Sequence, residues 1–159
     1  MGKRNKKQSK TAGAESIICR NKRATVDYAI EDRFEAGLAL MGSEVQSLRS
    51  GKASISEAYA RVDDHGEIWL EGAHIAEYPW ANRLNHEPTR RRKLLLNRQE
   101  ISRISVRVIE RGYTLVPMAL YFKGGYAKLE VGLGKGKRRH DKRASIKERD
   151  VARENDRYR

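Results

Sequence analysis

The stretch from Tyr113 to Gly134, YTLVPMALYFKGGYAKLEVGLG, constrains the fold of this chain more tightly than any other part of it. Ala127, Leu129, Val131 and Leu133 alternate with Tyr126, Lys128 and Glu130, so one face of the segment is apolar and the other polar. A period of two belongs to a strand, since helical faces repeat every 3.6 residues. KGG at 123–125 supplies a turn, and the preceding run supplies the partner strand. Pro117 lies inside that run without an N–H to donate, which predicts an edge or a bulge there. An antiparallel hairpin with one buried face therefore sits in the core.

The remaining signals add strands and a few helices. ATVDYAI and FEAGLAL read as two short strands, with Gly37 a bulge or a close approach. GSEVQSLRSG reads as a short helix with Ser43 as cap, Gln46 completing a capping box, and Gly51 at a left-handed terminus. AYARVDDHGEIWLEGAHI reads as two strands turning at DDHGE. A better-marked helix starts at Asn97, with Glu100 at the box position. Its apolar face is Ile101, Ile104 and Val108; Arg103 and Arg107 lie off that face, and Gly112 stops it. Many short strands with two or three helices predict a mainly β chain: a small OB-like β-barrel with flanking helices.

Charge divides the chain into three parts. The formal net charge is +13 over 159 residues, but residues 11–133 are nearly neutral. Residues 1–10 carry five basic groups and no acid, and residues 134–159 carry eleven basic groups against five acids. Neither end has apolar surface enough to offset the entropy of ordering. The expected organisation is a disordered basic arm over 1–14, a barrel over 15–133, and a basic tail over 134–159, disordered when free and helical once bound to a phosphate scaffold. Such arms favour polyanions, nucleic acid first and an anionic membrane surface second. The membrane reading is the weaker. No apolar run approaches the roughly 18 residues of a spanning helix, the N-terminus lacks a signal peptide's apolar segment, and Lys6 stands where myristoylation wants Ser or Thr. A single cysteine, Cys19, leaves no internal disulfide and suits a reducing, cytoplasmic setting.

Signals for catalysis and metal binding are scarce. His65, His74, His86 and His140 are far apart and one cysteine makes no zinc pattern, so no metal or cofactor is expected. GLGKGK lacks the spacing of a phosphate loop and reads as a flexible junction. No nucleophile–base pairing is evident. The strongest basic cluster inside the barrel is Arg90, Arg91, Arg92 and Lys93, which reads as a phosphate clamp anchored by the following LLL rather than as a solvated loop. Trp69 and Phe122 read as core. Trp80 and Tyr126 are candidates for stacking on unpaired bases.

Four blocks, NKRATVDYAIEDRFEAGLALMGSEVQSLRSGKASI, HEPTRRRKLLLNRQEI, GYTLVPMALYFKGGYAKLEVGLGKGK and HDKRASIKERD, resemble the SsrA-binding protein family of bacteria, also called small protein B. The resemblance runs from about Ser16 to Asp150. It implies an OB-like barrel without catalytic activity that binds the tRNA-like half of transfer-messenger RNA. Through that RNA it implies the ribosome as a partner, and elongation factor Tu with GTP and alanyl-tRNA synthetase indirectly. The process would be trans-translation: tagging of the nascent peptide and rescue of a ribosome stalled on truncated message.

Residues carry over where the blocks match. Asn21, with Lys22 and Arg23 beside it in NKRA, Glu35 in FEAG, Leu95 in RKLLL and Lys128 in YAKLE align with family positions implicated in RNA binding. An Asn offers donor and acceptor to a base edge, a Lys neutralises a phosphate, and Leu95 would pack on an exposed base. Without the resemblance Glu35 reads as a surface partner of Arg33. Gln46 and Val106 stand where the family commonly has Lys and Gly, and Val26 where His is frequent. The tail would enter the decoding centre and the empty message channel of the ribosome through Lys135, Lys137, Arg138, His140, Asp141, Lys142, Arg143, Lys147, Arg149 and Arg153. Gly132, Gly134 and Gly136 would be its hinge, and a chain ending at Leu133 is expected to bind RNA yet fail to tag. Arg149, Arg153 and Arg157 recur every fourth residue, one basic stripe if the tail is helical. Two rival classes remain beside this one, a structural ribosomal or RNA-chaperone protein and an RNA-processing nuclease.

Overall fold

A computed structural model describes residues 16–110, 112–137 and 139–157. The hairpin that dominates the sequence is its spine. Strands β8 (Tyr113–Lys123) and β9 (Tyr126–Gly136) pair antiparallel from Lys123↔Tyr126 to Tyr113↔Lys135. Gly124 and Gly125 both take positive φ at the turn, where glycine is the unstrained residue. The register shifts between Pro117 and Ala119, so the bulge expected at Pro117 is present. The edge is not: β8 is flanked by β9 and also by β1 (Ser16–Arg20) and β4 (Tyr59–Val62).

Following the pairings from β8 leads through β4, β5 (Ile68–Glu71), β7 (Arg92–Leu95), β2 (Tyr28–Leu38) and β9, and back to β8. The sheet closes on itself as the expected barrel, which leaves few edges unpaired. The inward residues of the hairpin, Leu115, Leu120, Leu129, Val131 and Leu133, form the core with Phe34, Ala36, Ile68, Leu70 and Leu94. Helix α3 (Arg98–Ile109) packs on this core with Ile104 fully buried and Ile101 and Val108 beside it. Asn97 caps it as expected: Glu100 N donates to Asn97 Oδ1 at 2.9 Å and Asn97 N to Glu100 Oε2 at 3.3 Å. A cap of this kind stabilises a helix by about 0.5–2 kcal/mol.

Several local expectations change. Ala24–Asp27 is a helical turn, α1, rather than the start of a strand, and Tyr28–Leu38 is one long strand rather than part of two. Helix α2 (Gly42–Arg49) starts at Met41, whose N–H donates to Glu44 Oε1 at 3.1 Å. Ser43 does not cap it, because its hydroxyl faces the buried His86. Trp69 lies on the outer face and not in the core, its indole N–H donating to Asp63 at 2.9 Å.

The glycines expected as a hinge lie inside β9. A Cβ on Gly134 would stand 2.2 Å from the Ala29 carbonyl oxygen, and one on Gly132 2.7 Å from Met118 Sδ. These residues let two strands cross closely; GLGKGK is barrel wall rather than a flexible junction. After it, α4 (Arg139–Arg157) forms one helix and contacts α1. The side chains of 139–142, 144 and 145, like the N-terminal arm and Arg138, fall outside the described residues. No helix among the described residues is long and apolar enough to cross a membrane.

Candidate nucleic-acid interface

Strand register brings three of the resemblance-derived residues onto one outer face. In antiparallel sheets directly opposed residues share a face. Gly37 on β2 opposes both Leu95 on β7 and Lys128 on β9. Glu35, two residues from Gly37, therefore points the same way, as do its partner Glu130 and, through Lys128, Tyr121 on β8. Gly37 has a specific reason to lack a side chain: its Cβ would lie 3.3 Å from Leu95 Cβ. Leu95 lies over that gap, 52% exposed, and Tyr126, 74% exposed, stands beside it with Lys128 around one shallow groove. The face offers an exposed aliphatic side chain, an exposed ring and a cation.

Glu35 completes it with an anion. Tyr121 donates its hydroxyl to Glu35 Oε2 at 2.5 Å and Lys123 Nζ lies 3.2 Å from the same oxygen. The Tyr121 hydrogen bond, with Lys123 adding to it against a partial loss of hydration, holds the carboxyl below its ordinary range. Glu35 is thus an oriented carboxylate, an acceptor suited to base amino groups. It is not the partner of Arg33, which pairs with Glu130 at 2.8 Å. Tyr121 and Lys123 were not singled out in the sequence, although counting back from the KGG turn pairs Tyr121 with Lys128 directly.

Asn21 lies where β1 ends, and its amide is already engaged. Its Nδ2 donates to the Pro117 carbonyl at 3.1 Å and its Oδ1 accepts from Arg23 N at 3.2 Å. The side chain holds the β1–α1 turn against the β8 bulge, leaving one N–H and one lone pair for any base. Lys22 and Arg23 are exposed on that turn.

The expected phosphate clamp loses one of its four members, Arg92, to the interior. Arg92 is wholly buried, ion-paired to Glu44 and donating to the carbonyls of Ala73 (2.8 Å) and Pro88 (3.1 Å), so it is closed to any phosphate. Arg90 also pairs with Glu44, and Lys93 pairs with Glu67 at 3.0 Å. Arg91 is exposed, with its guanidinium 4.2 Å above the Trp69 ring. Arg92 alternates with Leu95 along β7 and faces inward, so a run that reads as one basic patch is split between interior and surface.

Of the tail residues, Lys135 sits 4.6 Å from the Tyr113 ring and Lys137 donates to the Thr25 carbonyl at 2.8 Å. Arg143, Lys147 and Arg153 are exposed on α4, and Arg149 donates to the Lys22 carbonyl at 3.0 Å. Arg138 is outside the described residues, as are the side chains of His140, Asp141 and Lys142. Near Tyr113 lies a cluster the sequence did not suggest: Tyr113 and Arg107 both bind the Glu31 carboxylate, at 2.8 and 2.5 Å. Among the described residues no three His, Cys, Asp or Glu are grouped to hold a metal.

The family described as "SmpB protein" matches residues 18–159, nine residues beyond Asp150, where the resemblance of the sequence blocks ends. A curated relative from Oceanobacillus iheyensis, "SsrA-binding protein", is 48% identical over 91% of this chain and 94% of its own. Its counterpart from Geobacter metallireducens is 51% identical over 88% of this chain and 91% of its own. A chain in the solved structure described as "tmRNA-SmpB: a journey to the center of the bacterial ribosome" is 44% identical, with a TM-score of 0.63, covering 80% of this chain and 93% of that one. With a match over nearly all of its length, and with Glu35, Leu95 and Lys128 all inside it, this chain belongs to the SmpB, or SsrA-binding protein, family.

Proposed function

We propose that this chain binds transfer-messenger RNA (SsrA) and escorts it to stalled ribosomes, acting in trans-translation. The observation that carries this reading is the extent of the match to SsrA-binding proteins, together with a ribosome-bound SmpB as structural neighbour. The outer face then takes on roles. Lys128 neutralises a phosphate, Leu95 packs against an unpaired base, and the Glu35 carboxylate, oriented by Tyr121, accepts from base amino groups. Asn21, with Lys22 and Arg23 beside it, contacts the same RNA from the β1–α1 turn.

The tail acts separately. Its basic side chains enter the decoding centre and message channel, where α4 follows the phosphate scaffold of the small subunit. Tagging and rescue follow from the RNA, with elongation factor Tu and alanyl-tRNA synthetase engaged indirectly through it. The chain acts by binding, with no chemical step of its own, in the cytoplasm. Competition between SsrA RNA and ordinary tRNA tests the reading. Preferential, salt-sensitive binding of SsrA RNA is expected; equal binding of both overturns it, as does cleavage of labelled RNA in magnesium.

A further inference from the structure

Between β6 (His74–Ile75), which pairs with β3 (Ala53–Ser54) in a separate two-stranded sheet, and β7 the chain forms a loop braced at its neck. The Asn85 side chain accepts from Tyr78 N at 3.1 Å and donates to Tyr78 O at 2.9 Å. Two further backbone bonds, Ala81 N to Tyr78 O and Leu84 N to Ala81 O, coil the tip. Below the neck, buried His86 donates from Nε2 to the Ile75 carbonyl at 2.8 Å, which leaves Nδ1 to accept from the Ser43 hydroxyl at 2.9 Å. The tip so held presents Trp80 at 80% exposure and Leu84 at 81%.

That combination is physically odd for a surface with no partner. An indole in water forgoes the burial that would stabilise it, and ordering the loop around it costs entropy. A loop already held in one shape loses less freedom when something covers it. Charge indicates what covers it. From Tyr78 to His86 there is no carboxylate and one cation, Arg83, which is exposed between the two apolar side chains in sequence. A flat ring, an aliphatic side chain and a guanidinium match an unpaired nucleotide, whose base stacks and whose phosphate is neutralised.

We propose that the Tyr78–His86 loop is a second RNA contact, which stacks one unpaired nucleotide on Trp80 away from the Glu35–Leu95–Lys128 face. The inference rests on the reading above that this chain binds RNA. The nucleotide belongs to SsrA RNA or to ribosomal RNA, and two arms of one experiment separate them. Trp69→Phe leaves Trp80 as the one tryptophan of the chain. Its quenching by acrylamide is measured free, with SsrA RNA, and with SsrA RNA on 70S ribosomes. Protection in the first complex assigns the nucleotide to SsrA RNA, and protection in the second alone assigns it to the ribosome. In the wild-type background, Trp80→Ala weakens binding in the protected arm roughly tenfold, Trp80→Phe retains most of it, and neither shifts the thermal midpoint. A photoreactive residue at position 84 crosslinks to RNA. Normal affinity with Trp80 still accessible in both arms overturns the proposal, as does a crosslink to ribosomal protein alone. Absence of SsrA RNA binding by the wild type is the separate failure of the underlying reading.

Discussion

Arg92 and Glu44 meet as a fully buried ion pair that ties β7 to α2. Arg90 reaches the same carboxylate from the rim, and Met41 N donates to it at 3.1 Å. The pair sits inside a segment that looks in sequence like a nucleic-acid contact, and its consequence is architectural.

Removing one member of a buried pair leaves an uncompensated charge, at a cost of about 3–5 kcal/mol. Arg92→Ala is therefore expected to lower stability by that amount in urea unfolding. Arg92→Lys should recover less than half, because an ammonium cannot reach the carboxylate and the Ala73 and Pro88 carbonyls together as a guanidinium does. Under conditions where both are folded, Arg92→Ala should leave the salt dependence of RNA binding unchanged. Lys128→Ala should reduce its slope by about one.

Glu44 also sets a pH dependence. Burial opposes its ionisation, but Arg90, Met41 N and Arg92 together outweigh that and hold the carboxyl below its ordinary value. A folded-state pKa below the unfolded one contributes stability that is fully present above the unfolded value of about 4.3 and is lost as pH falls through the folded one. Acid unfolding of the wild type should steepen below about pH 4. Glu44→Gln should be less stable at neutral pH and show a shallower acid limb in the same titration.

Glu35 behaves differently because it is on the surface. Its carboxyl is held low chiefly by the Tyr121 hydroxyl, so Tyr121→Phe should raise its titration midpoint towards about 4.3. Carbon-detected NMR of the carboxyl group checks this directly. The same variant should weaken RNA binding without changing its salt slope, since no cation is removed. An unmoved midpoint would remove Tyr121 from the interface.

The barrel was legible because its spine advertises itself: a period-two hairpin with KGG at the turn leaves little choice of register. Helix α3 was legible for a similar reason, since Asn97 and Glu100 act locally and a cap is a short-range device. What escaped depended on partners distant in sequence. Arg92 reads as surface until Glu44, forty-eight residues away, is placed against it. Ser43 reads as a cap until His86 arrives to take its hydroxyl. Gly132 and Gly134 read as flexible because the β2 residues that crowd them, Ile30 and Ala29, lie far earlier in the chain. The outer face was found through family resemblance. Physics alone would have assigned Glu35 to Arg33, its neighbour on the same side of the same strand.

The position of the glycines within β9 changes where the tail begins, and that can be measured. A hinge would tolerate alanine at Gly134, whereas a strand crossing does not: the added Cβ would meet backbone oxygen at 2.2 Å. Gly132→Ala meets the end of the flexible Met118 side chain and the Ile30 side chain instead, so it should cost about 1–3 kcal/mol, as overpacking does. Gly134→Ala should cost more, because backbone must move. Truncations locate the boundary independently. A chain ending at Leu133 loses the pairing of Gly134 with Ile30 and Thr114 and of Lys135 with Ala29 and Tyr113, so it is expected to lose stability together with RNA affinity. A chain ending at Lys137 keeps that pairing and the bonds from Lys137 to the Asp27 and Thr25 carbonyls. It gives up α4, which touches the barrel side through α1 and the exposed Arg149 contact. It should melt within a few degrees of the full chain and bind SsrA RNA within a few-fold, yet fail to tag peptides on truncated messages in a reconstituted translation system. Normal tagging by the chain ending at Lys137 would show that α4 is dispensable, and that the nine basic groups after Lys137 serve only to keep the chain in solution.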